Sequence, residues 1–474
     1  MDARSGERLL AMLEESQVEA KVLDGIPDRL AKFVEPFTQS ILQAKQRRRA
    51  AEFIGGLLSD VERKNAESIA YRHDQERKEM QYFLGESRWD HQPLLVELAR
   101  QAGRELGRPE GVIVFDPSSF PKKGTESVGV QRQWCGRLGK IENCQVGIFM
   151  AYVSAVEHAL VNTRLYLPRE WAQDKARRKK CHVPREVKFK TRHALCLEML
   201  DEAGHLLPHQ WIAGDDELGR SSGFRRELRS RGERYLLAVP SNTLIRDLEV
   251  EVPQQEGPGG PRKAPFVRVD KWREALPASA WTRIDVRDGE KGPLVVEVAA
   301  RCRVQAKADG KRVGPEELFV VIRTTDESGA VKHDYYLSNA PPDTPPPELA
   351  RVAKAEHRIE ECLQRGKSEC GLADYEVRSW GGWYHHQTLS LIGAWFLNCE
   401  LREGKKIGPS FHLPATPRRD CPTAPRRHRL RRTDACRVPL HPPLGTQSIR
   451  PLLSPQTPQV LGTTRVPATA VLEQ

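Results

Sequence analysis

Three acidic residues of this 474-residue chain stand where a carboxylate can be held rigidly. Asp116 closes the apolar run GVIVFD and is followed by Pro117. Asp215 closes HQWIAGD, and Glu360 lies inside the amphipathic stretch ELARVAKAEHRIEECLQRGKSE. A short continuous apolar run bounded by breakers reads as a strand covered on both faces. The ends of such strands, like the face of a packed helix, fix a side chain in place. Carboxylate oxygens are hard ligands that suit Mg²⁺ or Mn²⁺. A cluster of them holding two ions about 3.5–4 Å apart cleaves phosphodiesters, one ion activating the attacking oxygen and the other stabilising the leaving one. Each acid also has a plainer role, since an Asp after a strand is often a turn former or helix cap and a helical Glu is usually solvated. Asp216 and Glu361 stand beside the assigned acids as alternatives. On a strand Asp216 faces away from Asp215, and on a helix Glu361 is turned by about 100° from Glu360.

Lys367 follows Glu360 by seven residues, about two helical turns, so the two share a face and the lysine can hold a phosphate beside the acids. Arg358, Arg365, Lys122 and Lys123 are further candidates for the backbone of a nucleic acid, weighed against their reading as solvated surface charge.

The elements that must position these groups divide the chain into five stretches. Residues 1–107 read as helices, with 3.6-residue apolar spacing in LAKFVEPFTQSILQA, AEFIGGLLSDVER and QPLLVELARQAGREL. The basic cluster Lys45, Arg47, Arg48 and Arg49 rides on them. Residues 108–240 open with the Asp116 strand and continue with the β-rich runs CQVGIFMAYVSAV and HALVNTRLYLP. A helix, the Asp215 strand, another helix and the strand RYLLAVP complete this stretch. Residues 241–331 are Val-rich, alternating and broken by Gly/Pro loops, a β-rich insertion. Residues 332–402 return to a strand, the Glu360 helix and a final apolar helix. The expected fold is α/β: an RNase H-like mixed sheet with helices, interrupted by the insertion and preceded by the helical region. Residues 403–474 carry 12 prolines and one aromatic, too little to bury a core. That stretch is expected to be disordered, and the abruptness of the change is what a shifted reading frame would produce.

At the level of whole segments the chain resembles bacterial insertion-sequence transposases of the DDE superfamily endonuclease type. VIVFDPSSFPKKGTESVGVQRQWCGRLGKIENCQVGIF is similar to their first catalytic segment. GDDELGRSSGFRRELRSRGERYLLAVP is similar to the second, with Asp215 four residues before Gly219, and HRIEECLQRGKSECGLADYEVRSWGGWYHHQTLSLIGAWFL to the third. The resemblance spans roughly 30–402 and implies that Asp116, Asp215 and Glu360 are catalytic metal ligands for two Mg²⁺ or Mn²⁺ ions, with Lys367 as their basic partner. It implies binding to the terminal inverted repeats of a mobile element, cleavage at its ends and strand transfer to target DNA by cut-and-paste. It further implies a homo-oligomer on paired ends in the bacterial cytosol. Where the broader group carries a Tyr and an Arg ahead of the Glu, this chain has Ala353 and Glu356, so those DNA contacts are not carried over. The competing readings are a catalytically decayed, DNA-binding regulator and a structure-specific nuclease with the same core.

Composition bounds the rest. The length calls for two to four compact units, and no apolar run approaches the roughly 18–20 residues of a membrane span. The N-terminus is charged and amphipathic, without a secretory pattern. The net charge of +11 is concentrated at the end: residues 1–402 hold 63 basic and 60 acidic side chains, so DNA contact must rely on local basic patches. The ten cysteines show no paired motif and read as free thiols. Cys421, His428, Cys436 and His441 lack zinc-finger spacing. Trp380, Trp383, Tyr384, His385 and His386 read as core packing, with stacking on a flipped base as the alternative.

Overall fold

The structure, a computed structural model, describes residues 25–407 apart from 74, 253–262, 290–291, 309–312 and 327. The Pro/Arg-rich stretch from 408 onward, with Cys421, His428, Cys436 and His441, lies outside the described residues.

Among the described residues five helices precede the first strand: α1 (Ile26–Thr38), α2 (Ala44–Leu57), α3 (Ala66–Arg72), α4 (Arg77–Gly85) and α5 (Gln92–Leu106). Their apolar stripes bury Phe37, Phe53, Leu57, Met80, Leu94 and Leu98, and Asn65 caps α3 by accepting from the Glu67 and Ser68 N–H groups. The basic cluster on α2 is engaged locally. Arg49 pairs with Glu52 and Glu79, Lys45 with Glu79, Arg48 with Glu52, and Arg47 donates to the carbonyls of Ile41 and Leu42.

The sheet begins with β1 (Val112–Pro121), β2 (Gln131–Cys135), β3 (Lys140–Val153) and β4 (His158–Leu165). The short helices α6 (Arg169–Gln173) and α7 (Lys175–Lys180) follow, then α8 (Arg192–Ala203), β5 (Trp211–Gly214), α9 (Asp216–Arg220), α10 (Ser222–Ser230) and β6 (Tyr235–Val239). β3 runs antiparallel to β1 and β4, whereas β5 is parallel to β1 and β6 parallel to β5. The spatial order β4-β3-β1-β5-β6, with three antiparallel strands followed by two parallel ones on helical crossovers, is the RNase H-like arrangement.

The β-rich stretch extends this same sheet. β7 (Leu244–Asp247), β8 (Val267–Arg268), the helix α11 (Val269–Glu274), β9 (Thr282–Gly289), β10 (Gly292–Lys307), β11 (Val313–Thr325) and β12 (Val331–Ser338) follow β6. β12 pairs antiparallel with β6, β11 with β12 and β10 with β11. The run LFVVI on β11 is apolar at every position because both faces are covered. Val320 and Ile322 join the main core, while Phe319 and Val321 join a second cluster with Ile245, Val304 and Leu337.

Two long helices close the fold, α12 (Pro346–Glu369) and α13 (Trp380–Ile407). Gly371 stops α12 in a left-handed conformation, φ 60°, where a Cβ would also meet the Lys64 side chain at 2.5 Å. α13 continues five residues past the boundary expected at 402. Among the described residues no helix is long and apolar enough to cross a membrane.

Candidate active site

β1 does not end at Asp116 as the sequence reading expects: it continues to Pro121, and Asp116 sits opposite Phe149 of β3. What ends is its other neighbour. The parallel pairing with β5 runs from Val112↔Trp211 to Phe115↔Gly214 and stops there. Pro117 therefore falls where β1 has an open edge, the place a strand tolerates proline. One step beyond the last pair, Asp116 stands beside Asp215, on strands separated by about 4.8 Å.

Side-chain alternation puts Val112, Val114, Asp116 and Ser118 on one face of β1, and Trp211, Ala213 and Asp215 on the same face beside them. α12 covers that face. The Trp211 indole Nε1 donates to Glu348 Oε1 at 2.8 Å near the start of the helix, and Lys367 Nζ donates to Ser118 Oγ at 2.8 Å near its end. The middle turns, with Glu356 and Glu360, thus pass over the two aspartates. Glu356, Glu360, Leu363 and Lys367 follow helical spacing on one face.

The local backbone explains why Asp215 is rigid. It is the N-cap of α9, its Oδ1 accepting the Leu218 N–H at 3.1 Å. Gly219 lets this helix lie directly on β6, since a Cβ there would meet the Ala238 carbonyl oxygen at 1.8 Å. Asp216, first residue of α9, is past the strand and does not cap.

Electrostatics tie the acids together. Burial first, then the charges of Asp215 and Glu360, hold the Asp116 carboxyl well above the ordinary range, with Lys367 opposing. Burial pushes Asp215 up to about 6, against the hydrogen bond from Leu218. Glu356 is likewise raised by burial and then by Asp215 and Asp116. Glu360 differs: its side chain is 66% exposed, and the hydrogen bond from His357 Nδ1, 3.1 Å from Oε2, lowers its pKa. Burial and then the charge of Arg137 depress Lys367.

Other sequence candidates point elsewhere. Glu361 accepts from Arg358 Nη1 at 2.6 Å and lies 3.3 Å from His158 Nε2 of β4, so this pair faces away from the aspartates. Arg365 lines a groove with His158, Cys362 and Glu369 on that same far side. Lys122 is half-buried, donating to the Tyr375 carbonyl at 2.9 Å and lying 3.4 Å from the Tyr375 ring centre, and burial brings its pKa down to about 8. Lys123 is exposed. Trp383, Tyr384, His385 and His386 are core residues. His385 bridges the Leu84 and Trp89 carbonyls, and the Tyr384 hydroxyl accepts the Leu165 N–H.

Sequence reasoning overlooked Glu356, Ser118 and His357 as parts of the site. Glu356 was visible as the residue one turn before Glu360, and Ser118 as the next residue of Asp116's face. The run KARRKKCHVPREVKFK at 175–190, with eight Lys/Arg and the single acid Glu186, is hidden in the near-neutral total charge of residues 1–402.

The donor set is chemically apt for a divalent cation: carboxylates crowded on one face, kept from ionising by burial and by one another, are what such an ion relieves. Among the described residues, no three His, Cys, Asp or Glu side chains converge closely enough to hold an ion as they stand. Of these acids, Glu360 is the one turned toward His357.

Residues 36–293 match the family described as DDE superfamily endonuclease, a span that contains Asp116 and Asp215 and ends before Glu360. A similar protein is the probable transposase for insertion sequence element IS701 of Microchaete diplosiphon, 24% identical over 351 residues, 73% of this chain and 79% of that one. Among solved structures, the cryo-EM structure of the piggyBac transposase synaptic complex with hairpin DNA matches 78% of this chain and 69% of its own at 11% identity and a TM-score of 0.37.

Proposed function

The chain belongs to the DDE superfamily endonucleases, and from that premise we propose that it is a metal-dependent DNA transposase acting on the ends of its own insertion sequence. The observation that carries the reading is the side-by-side placement of Asp116 and Asp215 on adjacent parallel strands, beneath the helix that bears Glu356, Glu360 and Lys367. The similarity to a probable insertion-sequence transposase supports DNA as the substrate.

Asp116 and Asp215 would hold Mg²⁺ or Mn²⁺, with Glu360 completing the set after leaving His357 and Glu356 adding charge from the turn before. A divalent cation bound there supplies Lewis-acid polarisation of the phosphate and lowers the pKa of an attacking water. Lys367, anchored by Ser118 on the same face, is placed to hold a non-bridging phosphate oxygen. The same residues serve both steps, water being the nucleophile in end cleavage and the freed 3′-hydroxyl in joining to target DNA by cut-and-paste. Two ions and an oligomer on paired DNA ends complete the proposal.

The test is cleavage of labelled DNA carrying the element's two ends, with Mg²⁺ or Mn²⁺ and with chelator. The parent cleaves only with metal, and Asp116→Ala, Asp215→Ala and Glu360→Ala each lose at least about 10³-fold while still binding the ends. Glu356→Gln loses less, on the order of tenfold. Binding to the ends without any cleavage by the parent would leave a DNA-binding regulator instead.

A further inference from the structure

Five cations near the site make no ion pair among the described residues: Lys123, Arg132, Arg137, Lys175 and Lys179 are all exposed. They converge from three segments. Lys123 lies in the loop leaving β1, which Asn143 clamps: its Nδ2 donates to the Lys122 and Gly124 carbonyls at 2.7 and 2.9 Å. Asn143 is itself the cross-strand partner of Arg132 on β2. α7 is pinned to the same loop, through the Lys180–Glu126 ion pair and through Arg177, which donates to the Thr125 carbonyl at 3.2 Å and the Val130 carbonyl at 3.3 Å.

An apolar feature sits within this basic ground. Trp134 is 57% exposed and stands directly across from Ile141, itself 59% exposed, on the face of the β2–β3 hairpin that also carries Arg132. An exposed tryptophan interleaved with arginine and lysine outside any ion pair fits a polyanion whose bases offer flat apolar faces. Arg137 stands in the turn at the hairpin's tip, which packs against β1, and this ties the surface to the strand that carries Asp116.

We propose that the β2–β3 hairpin and α7 form a DNA-binding surface, with Lys123, Arg132, Arg137, Lys175 and Lys179 on phosphates and Trp134 stacked on a base or sugar. The proposal rests on the reading of the chain as a DNA enzyme and adds where its substrate lies. From Asp116 to its end at Pro121 β1 runs roughly 17 Å. Lys123, just beyond it, therefore meets DNA some five nucleotides, at about 3.4 Å each, from the phosphate at the acids, while Arg137, in a turn packed on β1, meets it closer in.

The experiment measures binding of the full chain to a labelled random-sequence duplex of roughly 30 base pairs across a salt series, since phosphate contacts are sequence-independent. Lys175→Ala/Lys179→Ala weakens binding about tenfold at moderate salt and lowers the slope of log K against log salt by about 2. Trp134→Ala weakens binding several-fold without changing that slope, and Trp134→Phe restores it. All positions are exposed, so folding is kept and is checked by circular dichroism. Variants that bind and cleave like the parent would overturn this surface while leaving the proposed function standing. A parent that binds no DNA would overturn both. Conversion of a dimer to a monomer by Trp134→Ala, with DNA binding unchanged, would make the face a contact between copies and overturn the proposal.

Discussion

Asp215 carries two burdens at once, capping α9 and lending a carboxylate to the acid cluster, and they pull in opposite directions. The cap favours the ionised form, whereas burial and the neighbouring Glu217 and Asp216 disfavour it, and burial prevails with a pKa of about 6. The folded-state value lies above the ordinary 3.8. In metal-free protein, this group's favourable share of stability is therefore present below about 3.8 and lost as pH rises through about 6. Asp215→Asn keeps a capping oxygen and removes the charge. Without metal, the variant is expected to gain on the order of 2 kcal/mol over the parent between pH 4 and pH 7, read from urea midpoints at each pH. Equal differences at both pH values would contradict the electrostatic account. With Mn²⁺ present the order reverses, because the parent alone retains the ligand.

At the scale of elements, the site depends on close approaches that few residues allow. Gly219→Ala places a methyl against the Ala238 carbonyl, so α9 must lift from β6 and carry Asp215 with it. The variant is expected to lose about 2 kcal/mol and to lose cleavage by a larger factor than its stability explains. Melting temperature and kcat measured on the same preparation separate the two effects. Asp116 and Asp215 were legible in the sequence because each ends a run apolar on both faces, and the Gly219 spacing reinforced the second. The course of β1 past Pro117 was not legible, since a proline breaks a strand only where a neighbour needs its N–H, and the neighbour had already ended. Glu356 shares the face of Glu360, but periodicity shows only which residues share a face, not which strands that face meets. The engagement of Lys122 by Tyr375 joins residues 253 positions apart, which no local pattern reveals.

Across the whole molecule, the β-rich stretch is joined to the site as one continuous sheet and by one buried charge pair. Arg225 of α10 donates to Glu317 of β11 at 2.7 Å and also to the Gly219 carbonyl, and the Tyr235 hydroxyl donates to Glu317 at 2.6 Å. Arg225 and Glu317 are 1% and 2% exposed. Glu317→Gln leaves a buried guanidinium without its counter-charge and is expected to cost about 3–5 kcal/mol by thermal or urea unfolding. The double variant Arg225→Met/Glu317→Gln is expected to recover part of that loss, whereas strictly additive losses would show that the pair is not coupled. The sequence showed that β strands lay between the second and third acids. It did not show that they lengthen the same sheet, because alternation marks a strand and says nothing of its neighbour. Basic surface was similarly hidden, since a nearly neutral body can still concentrate eight cations within residues 175–190.

Mn²⁺ binding followed by electron paramagnetic resonance tests whether Asp116 and Asp215 together hold a divalent cation, without any assumption about DNA ends. The parent chain is expected to bind Mn²⁺, and to bind it more tightly at pH 8 than at pH 5.5, because the raised carboxyls must lose their protons first. Asp116→Asn/Asp215→Asn should then bind none at the same concentrations. Mn²⁺ bound equally by the parent and the double variant would show that the two aspartates do not hold the ion and that its site lies elsewhere in the chain.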